Sequence, residues 1–430
     1  MAASPPFGLD DWLGQLERLH PRGQAGIELG LERVREVSRA LGQRQTCPVI
    51  TVGGTNGKGS TCAMIERILR ATGYRVGVYA SPHLLRYNER VRIDGAPADD
   101  DAFCAAFARV EAARAGTPLT YFEFGTLAAW EIFSAGQLDA IILEVGLGGR
   151  LDATNIYDAD CAVVTGVDLD HMEYLGPTRE HIGREKAGIC RPGHPLICGD
   201  ADPPQALVEA CHGSGADLRR LGHDFGFLRQ EGQWQYWSRE GRNLGGLAHP
   251  ALRGDCQLGN AACAIAALDC LAERLPVAAR DIRSGLAEVT APGRFQVLAG
   301  RPQIILDVAH NPQAARELAR TLGGMGRAPV TWAIFGMMAD KDVAGVVEAL
   351  RERVDRWLPC DLASPRAATA AQLAATICAV GAGETAGGFD SPAAALSRAL
   401  ENAGGDDRIL IFGSFLTVAG AMRSLGLVGV

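Results

Sequence analysis

Unbroken apolar, β-branched runs recur along this 430-residue chain and alternate with segments that are apolar on one helical face. The strand-like runs cover residues 49–52, 75–79, 140–145, 161–167, 304–308, 331–335 and 408–412. A strand packed by helices on both sides has no solvent face, so a continuous apolar run is its expected signature. Between these runs, residues 60–72, 124–135 and 313–322 carry the helical period. Alternation of this kind predicts an α/β protein with mostly parallel sheets.

A chain of this length is too long for one hydrophobic core, and two domains are expected. Helix-breaking residues crowd 291–302, from Ala291-Pro292-Gly293-Arg294 to Gly300-Arg301-Pro302, and the strand–helix pattern restarts at Ile304. This places a boundary near residue 297, with domains 1–296 and 297–430. Residues 217–254 are glycine-rich and cluster Trp234, Tyr236 and Trp237. They read as short antiparallel strands within the first domain.

Composition narrows the function. Hydrophobic residues make up 47% of the chain and charged residues 21%, and the formal net charge is -8. A field of that sign attracts neither nucleic acid nor an anionic membrane. Residues 1–12 show no secretory signal. The apolar helix expected over 261–272 is interrupted by Asp269 and is too short to span a bilayer. A cytoplasmic monomer is expected. The twelve cysteines contain no Cys-x-x-Cys pair, and even Cys256, Cys263 and Cys270, spaced by seven, read as small buried hydrophobes in a reducing compartment.

The chemistry begins where the first strand run ends. Gly53-Gly54-Thr55-Asn56-Gly57-Lys58-Gly59-Ser60 lies between a strand and a helix. Glycines let backbone N–H groups turn toward phosphate, the helix start adds partial positive charge, and Lys58 adds a full one. Ser60 or Thr61 suits a phosphate-bound cation. The spacing departs from the usual G-x-x-x-x-G-K-[ST], because Val52 precedes the glycines and Gly59 separates Lys58 from Ser60. Downstream, Glu144 is a lone acid near the end of an apolar strand, where an unpaired carboxylate is costly unless it meets a cation.

The Gly-Thr-Asn-Gly-Lys-Gly-Ser segment resembles the phosphate loop of the Mur ligase superfamily, in particular of folylpolyglutamate synthases and their bifunctional dihydrofolate synthase relatives. The strand ending in Glu144, with the following Gly146-Leu147-Gly148-Gly149-Arg150-Leu151-Asp152-Ala153-Thr154-Asn155, resembles the same family almost throughout. So do Ser81-Pro82-His83-Leu84, Asp307-Val308-Ala309-His310-Asn311-Pro312, residues 336–342 and Gly413-Ser414-Phe415. The likeness covers roughly residues 12 to 425 and is weakest over 201–255.

The resemblance implies a P-loop-type ATPase domain with a mostly parallel sheet, followed by a smaller Rossmann-like α/β domain. It implies ATP contacts at Gly54, Thr55, Asn56, Gly57, Lys58, Gly59, Ser60, Asn260, Arg294 and Asp307. By residues alone Asn260 reads as a helix N-cap and Arg294 as a solvated side chain. It implies metal contacts at Ser81, Glu144 and His171, where local reading offers only a Ser-Pro turn and an ordinary surface histidine. Mg²⁺ is the expected ion, Mn²⁺ a substitute because imidazole suits it, and K⁺ a further cation. Lys186 reads locally as a solvated helix end, whereas the superfamily often carries a carbamylated lysine there. The implied pterin or folate pocket comprises Gly26, Ile27, Glu28, Leu29, Thr120, Tyr121, Phe122, Glu123, Leu151, Asp152 and Ala153. Catalytic roles are implied for Lys58, His171, Lys186, Asp307 and His310.

The reaction implied is ATP-dependent ligation. A carboxylate of dihydropteroate or a reduced folate attacks the γ-phosphate, and the amine of L-glutamate displaces phosphate from the acyl phosphate. An enzyme that only extends folates is the near alternative, and a ligase of cell-wall precursors the more distant one. A P-loop switch needs a standard phosphate loop and an Asn-Lys-x-Asp segment, and the chain has neither.

Overall fold

The structure, a computed structural model, describes residues 8–19 and 28–427. The chain divides into two compact units. One holds the residues up to His83, Tyr87–Pro250 and Gly259–Val289; the other holds Leu84–Arg86, Ala251–Leu258 and the chain from Thr290.

The first unit contains β1 (Val49–Gly53), β2 (Val76–Tyr79), β3 (Val91–Ile93), β4 (Ala96–Pro97), β5 (Ala140–Glu144), β6 (Cys161–Val164), β7 (Pro195–Cys198) and β8 (Asp217–Arg220). These form one sheet in the order β4-β3-β2-β5-β1-β6-β7-β8. From β2 to β8 the pairing is parallel; β3 and β4 add an antiparallel edge. All five residues of β1 and of β5 are buried, as their apolar runs require. Register places Val52 opposite Glu144 on one side and Val163 on the other. The glycine-rich loop therefore leaves the middle of the sheet beside the buried acid, at the carboxyl ends of the strands where α/β folds collect ligands.

The strand β6 is clearly shorter than its apolar run suggested: it stops at Val164, and residues 165–167 turn to meet the glycine-rich loop. The strands β9 (Phe225–Gln230), β10 (Gln233–Ser238) and β11 (Asn243–Ala248) form the expected small antiparallel sheet. Residues 217–220, expected to belong to it, instead extend the parallel sheet as β8. An edge strand has a neighbour on one side only, so charged positions there betray no apolar run.

In the second unit β12 (Gln296–Leu298), β13 (Gln303–Leu306), β14 (Thr331–Phe335), β15 (Arg356–Pro359), β16 (Glu384–Thr385) and β17 (Arg408–Phe412) assemble in the order β12-β13-β17-β14-β15-β16. Only β12 is antiparallel. Phe335, Trp357 and Phe412 fill its core, with Phe335 and Phe412 stacked at 4.9 Å. Each such ring contributes roughly 1.5–3 kcal/mol on burial.

The cysteines are unbridged, and most are buried, but Cys256 and Cys378 are exposed. That corrects the expectation for Cys256, which sits at the start of its helix rather than in the core. Among the described residues no helix is long and apolar enough to cross a membrane.

Candidate active site

The helix that follows the glycine-rich loop runs Lys58–Thr72 and starts without any side-chain cap. Its first N–H groups thus face the loop, an arrangement suited to an anion. Gly54 and Gly57 have φ of 142° and 87°, conformations that side-chain-bearing residues rarely adopt. The loop is laced to the segment that follows β6: Thr55 N donates to Gly166 O at 2.8 Å, and Asp168 N donates to Thr55 Oγ1 at 3.0 Å. Lys58 Nζ donates to the carbonyls of Gly54 and Thr55 at 3.0 and 3.2 Å, which curls the ammonium over its own loop. Ser60 and Thr61 are buried, and the Thr61 hydroxyl has no hydrogen-bond partner.

Asn260 is not an N-cap. Its helix begins a turn earlier, at Cys256, because Gly259 sits inside the helix instead of breaking it. The Asn260 side chain lies against the loop: a Cβ on Gly57 would stand 2.6 Å from Asn260 Oδ1. Gly57→Ala should therefore be doubly penalised, by left-handed strain and by this contact. We expect a loss of roughly 1–3 kcal/mol in urea unfolding, together with weaker nucleotide binding.

Glu144 is only 4% exposed. Its carboxylate accepts from Ser81 N at 3.3 Å, so two of the three proposed metal contacts adjoin. His171, the third, has φ 50° and begins the short Met172–Leu175 helix. Among the described residues no cluster of three or more His, Cys, Asp or Glu side chains stands ready for a metal. One acid, one imidazole and one hydroxyl suit a hard cation that completes its shell with phosphate and water, and the unpartnered Thr61 hydroxyl beside the loop fits the same chemistry.

Lys186 overturns the solvated-helix-end reading. It lies in the Arg179–Ala187 helix and is 3% exposed. Burial and the nearby Lys58 charge push its pKa down to about 7, while Asp170 and Asp152 oppose that shift. A neutral amine at physiological pH is thus available there. Sequence alone offers no sign of it, since one apolar neighbour on a nine-residue helix does not announce burial.

The two pieces of the expected pterin pocket meet through Arg33. Its guanidinium bonds Glu28 and donates to Glu123 at 3.0 Å. Gly26 and Ile27 lie outside the described residues; Leu29 is half-buried. Thr120 and Glu123 form a capping box that starts the Tyr121–Ser134 helix. Phe122 packs against Tyr79 at 5.8 Å. Asp152 is buried; it accepts from Leu147 N at 2.9 Å and from Thr154 N and Oγ1 at 3.0 and 2.6 Å, which shapes the turn carrying Leu151 and Ala153. Burial raises its pKa against those hydrogen bonds.

In the second unit Asp307 is half-buried and accepts from Phe295 N and Ala309 N, both at 2.8 Å. Burial raises its pKa, opposed by those bonds and by Arg294 and His310. Asp307 thereby fixes the backbone beside Arg294, whose guanidinium lies 5.4 Å from the Phe415 ring centroid. His310 Nδ1 sits 2.8 Å from the Val308 carbonyl. A carbonyl can only accept, so Nδ1 carries a proton.

Sequence reasoning also passed over Arg90, which the fold brings beside Ser81 and Tyr121. Only the neighbouring Ser-Pro-His-Leu motif hinted at that region.

The Mur ligase middle domain matches residues 52–268, and the Mur ligase glutamate ligase domain matches residues 293–415. The chain is 46% identical over 423 residues to the dihydrofolate synthase/folylpolyglutamate synthase of Escherichia coli (strain K12), an alignment covering 98% of this chain and 96% of that protein. The solved structure of E. coli FolC in complex with DHPP and ADP matches with a TM-score of 0.92 at 44% identity, covering 98% of each chain. A bifunctional folylpolyglutamate synthase/dihydrofolate synthase solved with Mn, AMPPNP and L-glutamate bound matches with a TM-score of 0.90 at 45% identity, covering 98% of this chain and 100% of that one. By sequence and by fold along nearly its whole length, this chain belongs to the dihydrofolate synthase/folylpolyglutamate synthase family of Mur ligases.

Proposed function

We propose that this protein uses ATP to join L-glutamate to dihydropteroate, forming dihydrofolate, and to reduced folates, forming folylpolyglutamates. The observation that carries the reading is an uncapped, glycine-lined helix start bearing Lys58 on the strand next to buried Glu144. The relatives solved with ADP and DHPP, and with Mn, AMPPNP and L-glutamate, support the same chemistry.

Lys58 and the N–H groups of the Gly54–Ser60 loop hold the triphosphate and offset the charge that develops on it. Asn260 lines the same loop. Ser81, Glu144 and His171 hold the divalent cation, which when bound neutralises phosphate charge. Mg²⁺ is the working ion in this reading, Mn²⁺ substitutes for it, and K⁺ is an accessory cation. The acceptor's carboxylate attacks the γ-phosphorus, and ADP leaves. The glutamate amine then attacks the acyl carbon of the acyl phosphate, and inorganic phosphate leaves. Arg294 acts on the phosphates, with Asp307 setting its backbone and His310 held in place by the Val308 carbonyl. The segments 26–29, 120–123 and 151–153 receive the pterin. Unbridged cysteines agree with the reducing interior where ATP and folates are found.

Phosphate release from ATP in the presence of glutamate tests the proposal. Release stimulated by dihydropteroate and by tetrahydrofolate is the expected result. Stimulation by tetrahydrofolate alone would reduce the protein to a folate-chain extender, and stimulation by neither would remove the folate assignment.

A further inference from the structure

Arg90 occupies a position that neither the phosphate loop nor the pterin segments account for. Its carbonyl accepts from Ala80 N at 2.9 Å, directly before Ser81, whose own N–H donates to Glu144. Its guanidinium lies over two rings, 5.1 Å from the centroid of Tyr87 and 5.5 Å from that of Tyr121. The rings stand at 90° to each other, 5.9 Å apart. Arg90 Nε donates to His83 Nδ1 at 2.9 Å. A guanidinium has no acceptor, so Nδ1 is the acceptor and His83 carries its proton on Nε2.

What Arg90 lacks is an acid. Arg33, Arg70, Arg92 and Arg114 in the same unit each pair with a carboxylate. Among the described residues Arg90 pairs with none. A half-buried cation between two rings, steered by a neutral imidazole, has lost part of its hydration without gaining a counter-ion. Its Nε is occupied, which leaves the Nη edge of the fork for a planar anion. The buried Tyr87 hydroxyl beneath it has no hydrogen-bond partner.

We propose that Arg90 is the subsite for the carboxylate of the acceptor, the group that ATP activates. The inference rests on the ligase reading above and names one of its contacts. Tyr121 opens the segment expected to meet the pterin ring system, and Ser81 with Glu144 adjoins the expected phosphate and cation site. The substrate group that must lie between ring system and γ-phosphate is the carboxylate, and Arg90 touches both sides, its backbone bonded to Ala80 next to Ser81 and its guanidinium against Tyr121. Bidentate pairing orients the carboxylate oxygen for attack and screens its repulsion from the triphosphate. The flanking rings suit an acid borne on an aromatic ring, as the benzoate of dihydropteroate is.

The test compares binding of dihydropteroate with that of its carboxamide, which has the same shape without the charge. Both are titrated by fluorescence against the full chain and against Arg90→Met and Arg90→Lys, with ATP affinity measured alongside. The wild type should prefer the acid by about 30-fold, the range of a charge-assisted hydrogen-bonded pair. Arg90→Met should bind acid and amide alike, Arg90→Lys should keep part of the preference, and ATP affinity should not change. An Arg90→Met protein that keeps the full preference overturns the assignment of Arg90 while leaving the ligase reading standing. A wild type that binds neither compound overturns both. Should Arg90→Met fail to fold, Arg90→Lys decides: a preference reduced severalfold supports the subsite, and an unchanged one overturns it.

Discussion

Lys58→Met is expected to lower kcat/KM for the glutamate-ligating reaction by about 10³-fold, the scale on which loss of a preorganised charge contact costs transition-state stabilisation. The reason lies in how the side chain is held. Lys58 is the first residue of its helix, and its ammonium is fixed by the Gly54 and Thr55 carbonyls at 3.0 and 3.2 Å. The charge is therefore in place before any phosphate arrives, so little reorganisation is left for the reaction step. The variant should fold normally, because the loop's own bonds to Gly166 and Asp168 do not involve the side chain. Steady-state phosphate release and a melting curve on the same preparation check both halves. Near-wild-type turnover would mean that the loop N–H groups suffice. A secondary effect follows through Lys186: the Lys58 charge helps push that amine's pKa down, so its removal should raise the Lys186 pKa.

Lys186→Met should separate activity from stability. The native lysine carries a pKa lowered to about 7 from an ordinary 10.5. Between those values the unfolded chain binds a proton that the folded chain does not, so stability rises with pH across that window. Below about pH 7 both states are protonated and the full penalty of burying an ammonium is present. A methionine of similar length removes that penalty. The variant should melt at a higher temperature than the wild type near about pH 6, with the gap narrowing as pH rises. Its turnover should nevertheless fall by roughly 10²–10³-fold, the scale of losing one charge-stabilising contact. The proposed chemistry is carbamylation, in which a neutral amine takes up carbon dioxide and releases a proton. A cation thereby becomes an anion at the phosphate site. Activity of the wild type should fall as pH drops through about 7 and recover with added bicarbonate, and a short carboxylic acid should partly restore the variant. A native mass with no carbon dioxide adduct, together with indifference to bicarbonate, would rule the modification out. A variant that melts lower at acid pH would contradict the buried-cation account.

The sequence by itself determined a great deal here, and the reason is that certain constraints are local. A short, β-branched, unbroken apolar run is the signature of a strand covered on both sides, and β1, β5, β14 and β17 follow their runs closely. Glycine at a φ that other residues avoid, then lysine, then a helix start is a local geometry as well, so the shape of the glycine-rich loop was legible from eight residues. A lone acid ending an apolar strand announced Glu144 for the same reason.

Other features depend on what packs from elsewhere, and only the tertiary structure decided them. Asp217–Arg220 read with the short antiparallel strands that follow it, yet it pairs with β7 at the edge of the parallel sheet. Gly259 looked like a helix boundary, but the helix runs through it, which turns Asn260 from a cap into a residue against Gly57. Lys186 looked solvated until the fold buried it within the electrostatic reach of Lys58, Asp152 and Asp170. Arg33 joins segments some ninety residues apart, and Arg90 meets a tyrosine thirty-one positions away. Burial, the pKa values that burial moves, and contacts across long loops are sums over neighbours that the chain does not list in order. They are why motifs led to a glycine-rich loop and a buried acid, while the electrostatics around them came only from the fold.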